Sequence, residues 1–236
     1  DPAIIAIQEA YVRKILETLN DLDNVIYEIM NEGLGNTISW QYHFLNFVRN
    51  VEASLPKRHL VGMTGGDFPN HHLFKSPADW ISPADWISPI ESDSNHPYSD
   101  NPSATDASKV SLLDTDHTYN NAAGDWARCC WADSKWVWRS FTRGHSPIYM
   151  DPMDLTQSNG IDSRHQYKAT EILSARTAMG HTLNYAKKMN LAAMVPSTSL
   201  CSTTYCLVDP GNEYLVYQPY SGSLTVNIQS GTYSYE

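Results

Sequence analysis

Short apolar segments alternate with longer amphipathic segments along residues 3–188, and this alternation restricts the fold more than any other feature. Short, continuous apolar strands are typical of a parallel sheet covered by helices. The sequence therefore predicts an α/β protein. The expected strands are 25–30, 59–63, 109–113 and 147–150, and the expected helices are 3–19, 40–55, 125–143 and 163–188. In the first helix, three- and four-residue spacing predicts an apolar face formed by Ile4, Ile7, Tyr11, Ile15 and Leu19.

The pattern changes after Pro196. Strand signals at 205–208 and 213–217 flank a turn, and residues 224–228 alternate between apolar and polar with period two. These signals predict an antiparallel β-domain over residues 197–236, after an α/β domain over residues 1–196. Because two or three strands are not stable alone in water, this partial β-sandwich either packs on the first domain or is truncated.

The net charge restricts the possible partners. Sixteen basic residues against 26 acidic ones give a formal charge of −10, which disfavours nucleic acid and anionic membranes and favours a neutral partner. Aromatic residues make up 11% of the chain and supply flat faces that stack on sugar rings, although the same content also fits an ordinary core.

No apolar run approaches the ~20 residues of a membrane span, and the first residues lack the features of a signal peptide. We expect no cofactor.

The four cysteines do not indicate a metal site. Cys129 and Cys130 are adjacent, and no cysteine pair has the spacing of a zinc ligand set. Cys201 and Cys206 flank a turn and could form a disulfide only if their Cα atoms lay within about 7 Å of each other. We expect buried or free thiols.

Acidic residues follow three of the predicted strands. Glu32 ends the first, Asp114 and Asp116 end the third, and Asp151 follows the last. Loops at the carboxyl ends of parallel strands build the active sites of α/β barrels, so these acids predict paired-carboxylate chemistry at one mouth. For Asp151, a role as a helix cap or turn former is favoured over a catalytic one, because Asp is a preferred cap residue. Asp114, Asp116 and His117 also fit a cation site, which makes a metal-dependent hydrolase a weaker alternative.

The hexapeptide SPADWI occurs twice in succession, over residues 76–87. One copy is sufficient to build a strand near residue 78 and the loop that follows it. We expect Asp79 or Asp85, and either Trp80 or Trp86, to lie at the carboxyl end of that strand, at the mouth of the barrel. A six-residue insertion keeps every side chain on its face of the sheet, and a loop absorbs it at small entropic cost. We therefore favour a tandem duplication over an aromatic clamp. In the full-length protein, deletion of residues 82–87 should change stability little, whereas replacing both Trp80 and Trp86 by Ala should weaken saccharide binding.

The segment VIYEIMNE, residues 25–32, resembles the fourth strand of the clan A glycoside hydrolases, which are (β/α)8 barrels. The further segments IYEIMNEG, ADWISP, SLLDTDHTY, WVWRSFTRGHSPIYMDP, MNLAAMVP and YCLVDPGNEYLVYQP resemble barrel proteins of the DUF4038 or apiosidase-like type, which carry a small C-terminal β-domain. The resemblance implies a hydrolase of plant or microbial polysaccharide that is extracellular or periplasmic.

The resemblance also implies roles for individual residues. Glu32 would be the acid/base, and Asn31 would bind the sugar 2-hydroxyl. Counting along the seventh strand makes Asp114 the nucleophile of a retaining mechanism, with Asp116 two residues further out on the same face as the alternative. The remaining residues expected to border the carbohydrate substrate are His117, Trp80, Trp86, Tyr149 and Asp151.

A complete (β/α)8 TIM barrel takes ~250 residues, so this chain would hold only strands four to eight, near residues 25, 59, 78, 109 and 147. Strands one to three would come from about 90 residues further upstream in the same chain. We expect the 236 residues alone to be inactive and poorly stable. Residues 120–133 depart from the family's short Gly-rich loop. A non-catalytic carbohydrate-binding or structural protein, or an inactive fragment, is the alternative to the enzyme.

Overall fold

A computed structural model describes residues 1–83, 101–114, 133–149 and 169–235. The chain divides into two compact units, residues 1–92 and 93–236. The helices are α1 (Pro2–Leu19), α2 (Ile38–Glu52), α3 (His71–Lys75), α4 (Ser134–Thr142) and α5 (Ala169–Lys188). The strands are β1 (Tyr27–Glu28), β2 (Val61–Thr64), β3 (Trp80–Ser82), β4 (Val110–Asp114), β5 (His145–Ile148), β6 (Val195–Pro196), β7 (Cys206–Asp209) and β8 (Glu213–Val216).

The protein is a mixed α/β protein with parallel strands and a separate antiparallel sheet. In the first unit, β2 pairs in parallel with both β1 and β3. In the second unit, β4 pairs in parallel with β5. These five strands lie at the five predicted positions, although β1 covers only two residues of its predicted run 25–30. The coarse class is thus confirmed.

Helix α1 forms where the sequence predicts it but buries a different face. Asp1 caps the helix by accepting a hydrogen bond from the backbone N of Ala3. The helix buries Leu16 and packs Val12 against the core of the first unit. The first three residues of the predicted apolar face are exposed, and the prediction is wrong for them. They are Ile4, Ile7 and Tyr11, which are 56%, 70% and 68% exposed.

Helix α2 supplies more of the core of the first unit than any other element. Its residues in that core recur at helical spacing: Leu45, Val48 and Val51. Val61, Met63 and Ile81 from β2 and β3 join the same core. Alternate residues of the strands therefore face the helices, and the residues between them lie on the other face of the sheet.

Asp79, immediately before β3, is held at the amino end of the sheet. Its carboxylate accepts hydrogen bonds from Arg49 Nη2, from Arg58 Nη2 at 2.9 Å and from the backbone N of Val61 at 3.1 Å. Asp79 was expected at the carboxyl end of its strand. This expectation is wrong, because Asp79 precedes β3 and its hydrogen bonds hold the amino end of the strand in place. The sequence shows an acid beside a strand without showing which partners it has.

A buried ion pair fixes the start of β2. The Oε1 atom of Glu52 lies 2.6 Å from Nδ1 of His59, and its Oε2 accepts a hydrogen bond from the His59 backbone at 2.8 Å. The other ring nitrogen, Nε2, donates to the Leu22 carbonyl at 2.7 Å. Because both ring nitrogens face acceptors, His59 is an imidazolium, and the hydrogen bond to Glu52 raises its pKa above 6.5.

In the second unit, α4 and α5 pack together against β4. Trp136 and Val137 of α4 meet Ala175 and Ala178 of α5, with Leu113 of β4 beneath them. Asp133 caps α4 by accepting hydrogen bonds from two backbone N–H groups. The described part of the predicted helix 125–143 begins only at Ser134, and residues 115–132 and 150–168 lie outside the described residues.

A buried serine–histidine contact joins β4 to β5. Ser111 and His145 are paired in register, with Ser111 Oγ 2.8 Å from His145 Nδ1. The other ring nitrogen donates to the Ser103 carbonyl at 2.8 Å, so Nδ1 carries no proton and accepts from the serine hydroxyl. Burial lowers the pKa of His145 to about 4.

We expect the stability of the protein to fall between pH 6.5 and 4. The unfolded chain takes up a proton on His145 near its ordinary pKa of 6.5, whereas the folded protein takes it up only near pH 4. The resulting loss is up to about 3 kcal/mol in the free energy of unfolding. Urea unfolding at several pH values checks this, with His145→Gln as a variant that should flatten the slope. An equal slope in both proteins would refute the assignment to His145.

The antiparallel sheet follows α5 in the order β6–β7–β8. It packs on the helices through Leu207 of β7, which meets Phe141 of α4 and the buried Met194. The sheet therefore does not stand alone, as expected for so few strands. The predicted strand at 224–228 is reduced to one bridge between Val226 and Cys201. The predicted domain boundary after residue 196 stays a prediction.

Cys201 and Cys206 form a disulfide, with their Cα atoms 6.4 Å apart. The expectation of free thiols is therefore wrong for this pair, because the turn between them brings the Cα atoms within bonding range. Cys129 and Cys130 lie outside the described residues. Among the helices in the described ranges, none has the length and apolar character that crossing a membrane requires.

Candidate functional site

The carboxyl ends of the first three strands are tied together by hydrogen bonds. Thr64, at the end of β2, places Oγ1 2.7 Å from Glu28 Oε1 and 2.9 Å from the Met30 carbonyl. The backbone N of Gly65 donates to the Ser82 carbonyl at 2.7 Å. These bonds hold the segments that follow β1 and β2 beside the end of β3, where sequence analysis expects chemistry.

Glu32 stands in this region on strained backbone. Its φ of 47° lies in the left-handed region, which costs a residue with a Cβ about 1–2 kcal/mol. The residue is exposed, as is Asn31 beside it. Strain of this kind persists only where the surroundings impose it, and it is enriched at functional sites.

Two glycines allow the chain to pack tightly around Glu32. The backbone N of Asp67 donates to the Gly33 carbonyl at 3.0 Å. A Cβ at Gly66 would overlap the Gly33 carbonyl and lie 2.8 Å from the carbonyl carbon of Glu32. A Cβ at Gly33 would in turn overlap the side chain of Gln41, which is fully buried. The loop carrying Glu32 is thus pressed between α2 and the segment after β2.

We expect Gly66→Ala to destabilise the protein by about 1–3 kcal/mol, because the added methyl group meets backbone that cannot move aside. Gly180→Ala is the matched control, since nothing lies within 4 Å of a Cβ at Gly180 in α5. Alanine should stabilise that helix by roughly 0.5–1 kcal/mol. Urea unfolding measures both changes, and equal effects would show that the Gly66 contact is not tight.

Trp80 lies on the face of the sheet opposite the helical core. In register, Glu28, Gly62 and Trp80 occupy neighbouring positions on β1, β2 and β3. The indole ring lies over Gly62, where any Cβ would overlap it. Trp80 is 6% exposed, and among the described residues its Nε1 has no hydrogen-bond acceptor. A buried donor without an acceptor is costly, and a bound hydroxyl group would satisfy it.

The predicted residues of the second unit are only partly described. Asp114 is the last residue of β4, where its backbone pairs with Ile148. Tyr149 follows β5 and packs, half-buried, against the core formed by α4 and α5. The pairing of Glu32 with a carboxylate of the second unit stays a prediction. The predicted site residues outside the described ranges are Asp116, His117, Trp86 and Asp151.

Sequence reasoning missed Glu28 and Thr64. Glu28 is exposed on β1, one residue from Tyr27, which packs against the core. The signal was present, because a glutamate interrupts the apolar run 25–30 and alternation places it on the other face. No group of three or more possible metal ligands occurs within the described residues.

A cavity of about 340 Å³ lies elsewhere, between α4 and α5 of the second unit. Trp138 and His181 line it together with serine and threonine hydroxyl groups. It contains none of the predicted site residues.

No family model matches the chain, and neither a curated protein nor a solved structure is significantly similar to it.

Proposed function

We propose that this chain is the C-terminal part of a (β/α)8-barrel glycoside hydrolase that acts by a retaining, two-carboxylate mechanism. The observation that carries the proposal is Glu32, an exposed acid held on left-handed backbone near the carboxyl ends of parallel strands. Strands β1 to β5 would be strands four to eight of the barrel, whose active site lies at the carboxyl ends.

In this mechanism Glu32 donates a proton to the glycosidic oxygen while the Asp114 carboxylate attacks the anomeric carbon. The bond to the leaving group breaks, and a glycosyl ester forms on Asp114. Glu32 then takes a proton from a water molecule whose oxygen attacks the anomeric carbon and releases Asp114. Asp116 is the alternative nucleophile, and Asn31 would donate a hydrogen bond to the sugar 2-hydroxyl.

The local structure supports a positioning role for the loop that carries Glu32. General acid catalysis requires the carboxyl group to meet the leaving oxygen within hydrogen-bonding distance. The backbone of Glu32 is packed tightly by Gly33, Gly66 and Gln41. The position of the backbone that carries the carboxyl group is therefore already fixed, so less conformational entropy is lost when substrate binds. The indole N–H of Trp80, which has no acceptor among the described residues, would donate to a substrate hydroxyl group, and the ring would not stack on a sugar.

The exposed apolar face of α1 supports the proposal that further βα units complete the barrel. Ile4, Ile7 and Tyr11 form an apolar stripe, and stripes of this kind mark surfaces that another element covers. Within the described residues, β1 pairs with β2 alone. The βα units that complete the barrel would pair with β1 and cover the stripe. The Cys201–Cys206 disulfide supports an extracellular or periplasmic location, since disulfides persist in oxidising compartments.

Hydrolysis of a panel of oligosaccharides and aryl glycosides tests the proposal, in a protein that joins these 236 residues to the strands that complete the barrel. Proton NMR of the first sugar released reports its anomeric configuration, which a retaining enzyme preserves. Binding of saccharides without any hydrolysis would favour the non-catalytic alternative. An inverted product would exclude Asp114 as the nucleophile.

A further inference from the structure

The backbone between β1 and Glu32 is tied to β2 first by the sheet and then by a side chain. In the described part of the chain, the last backbone bond along this edge runs from the N of Ile29 to the Gly62 carbonyl, at 3.3 Å. Two residues before Glu32, the Met30 carbonyl instead lies 2.9 Å from a side-chain oxygen, Oγ1 of Thr64. A threonine hydroxyl group therefore holds the backbone that leads to the proposed acid.

Thr64 is itself fixed at the end of β2. Its backbone pairs in register with Ser82 of β3, and the side chain of Met63 before it is fully buried in the core. Threonine is branched at Cβ, so few side-chain rotamers are open to it. The hydroxyl oxygen of Thr64 therefore has a defined position relative to the sheet.

The Thr64 hydroxyl group contacts two acceptors. Glu28 pairs in register with Gly62, on the same face of the sheet as Thr64, and places Oε1 2.7 Å from the hydroxyl oxygen. A hydroxyl group carries one hydrogen, so the carboxylate of Glu28 and the carbonyl of Met30 share a single donor. Removing the hydroxyl group releases both acceptors, and with them the peptide bond between Met30 and Asn31.

We propose that Thr64 is a positioning residue for the candidate acid and acts through the Met30 carbonyl. This inference rests on the proposed function, in which Glu32 protonates the leaving oxygen. The peptide bond that Thr64 holds sets the direction in which the chain enters Glu32. Beyond Glu32, the close approach of Gly66 restricts the chain. A displacement of about 1 Å at a reacting group can reduce the rate about 100-fold, so the loss of one of these two restraints should be measurable.

Thr64→Val tests this role, because valine has nearly the shape of threonine without the hydroxyl group. In the protein that joins these residues to the strands completing the barrel, kcat/KM for glycosides with poor leaving groups should fall about 10–100-fold. For activated aryl glycosides it should change little, since their first bond-breaking step needs no proton. The ratio of the two values does not depend on how much of the protein is folded, so a loss of stability alone would leave it unchanged.

Three further variants separate positioning from a general structural role. Thr64→Ala removes the same hydroxyl group and should shift the ratio in the same direction, whereas Thr64→Ser keeps the hydroxyl group and should retain the native ratio. Thr18, on the exposed surface of α1, also donates its hydroxyl hydrogen to a backbone carbonyl. Thr18→Val is therefore the matched control and should leave the ratio unchanged.

A double variant shows whether Thr64 acts through Glu32. In Glu32→Gln the proton is already lost, so adding Thr64→Val should shift the ratio no further. A native ratio in both Thr64→Val and Thr64→Ala would overturn the proposal, as would a full additional shift in the double variant. The proposed function fails separately. A native ratio in Glu32→Gln would overturn both ideas, whereas a shifted ratio in Glu32→Gln with a native one in Thr64→Val and Thr64→Ala would overturn only the role of Thr64.

Discussion

Replacing Glu32 by Gln is expected to slow hydrolysis of glycosides with poor leaving groups by about 10²–10⁴-fold, the usual contribution of a general acid. An amide cannot donate the proton that an alkoxide leaving group needs. Activated aryl glycosides need no such proton, so the first bond-breaking step on them should be nearly unchanged. Initial rates on a series of aryl glycosides with different leaving groups measure this difference.

Two variants sharpen the test of Glu32. Glu17→Gln makes the same change on the exposed surface of α1 and should leave all rates unaltered. Asp114→Asn removes the nucleophile, so it should stop hydrolysis of every substrate, whatever its leaving group. If Asp114→Asn instead showed the leaving-group pattern and Glu32→Gln stopped all substrates, the two roles would be exchanged. If neither variant changed the rates, the proposed site would be wrong.

Replacing Glu52 by Ala is expected to lower the free energy of unfolding by about 3–5 kcal/mol, because it leaves the buried His59 cation without its partner. The side chains are 5% exposed for His59 and 1% for Glu52, so water cannot replace the lost carboxylate. Their position at the start of β2 means that the loss affects the strand whose other end supports the candidate site. Urea unfolding at pH 6 measures the change.

The same pair predicts a pH dependence. The pKa of His59 is raised in the folded protein, so its contribution is complete below the ordinary value of 6.5 and is lost as the pH rises through the folded pKa. The stability difference between the native protein and Glu52→Ala should therefore be larger at pH 6 than at pH 9. Glu17→Ala, a surface control, should change stability by less than about 0.5 kcal/mol at both pH values. An equal difference at both pH values would contradict the ion pair.

The strand positions were predictable because short apolar runs between helical segments leave a strong sequence signal. Apolar runs at 59–63 and 109–113 have few other interpretations, and β2 and β4 occupy them within two residues. The ends of strands are less predictable. The run 25–30 yields only the two-residue strand Tyr27–Glu28, since pairing depends on the neighbouring strand as well as on local composition.

Partners and backbone angles were not predictable. From the sequence, Asp79 is predicted to lie at the active-site end of the sheet. Its actual partners, Arg49 and Arg58, are distant in sequence and could not be identified from it. The apolar residues of α1 can be assigned to either of two overlapping apolar faces of the helix. Packing against the rest of the unit determines which face is buried, so that Leu16 is buried and Ile7 is exposed.

Neither the left-handed backbone of Glu32 nor the close approach of Gly66 to it is indicated by local propensity. The Cys201–Cys206 bond depends in the same way on a Cα distance that spacing does not determine.

The separation of the Glu32 and Asp114 carboxyl groups tests the proposed active site most directly. A crystal structure of a protein that joins these residues to the strands completing the barrel would measure it. A retaining glycoside hydrolase predicts a separation of roughly 5–5.5 Å, with Asp116 as the alternative partner. A Glu32 carboxyl group more than about 10 Å from both aspartates would contradict the account, because that exceeds even the separation of an inverting pair.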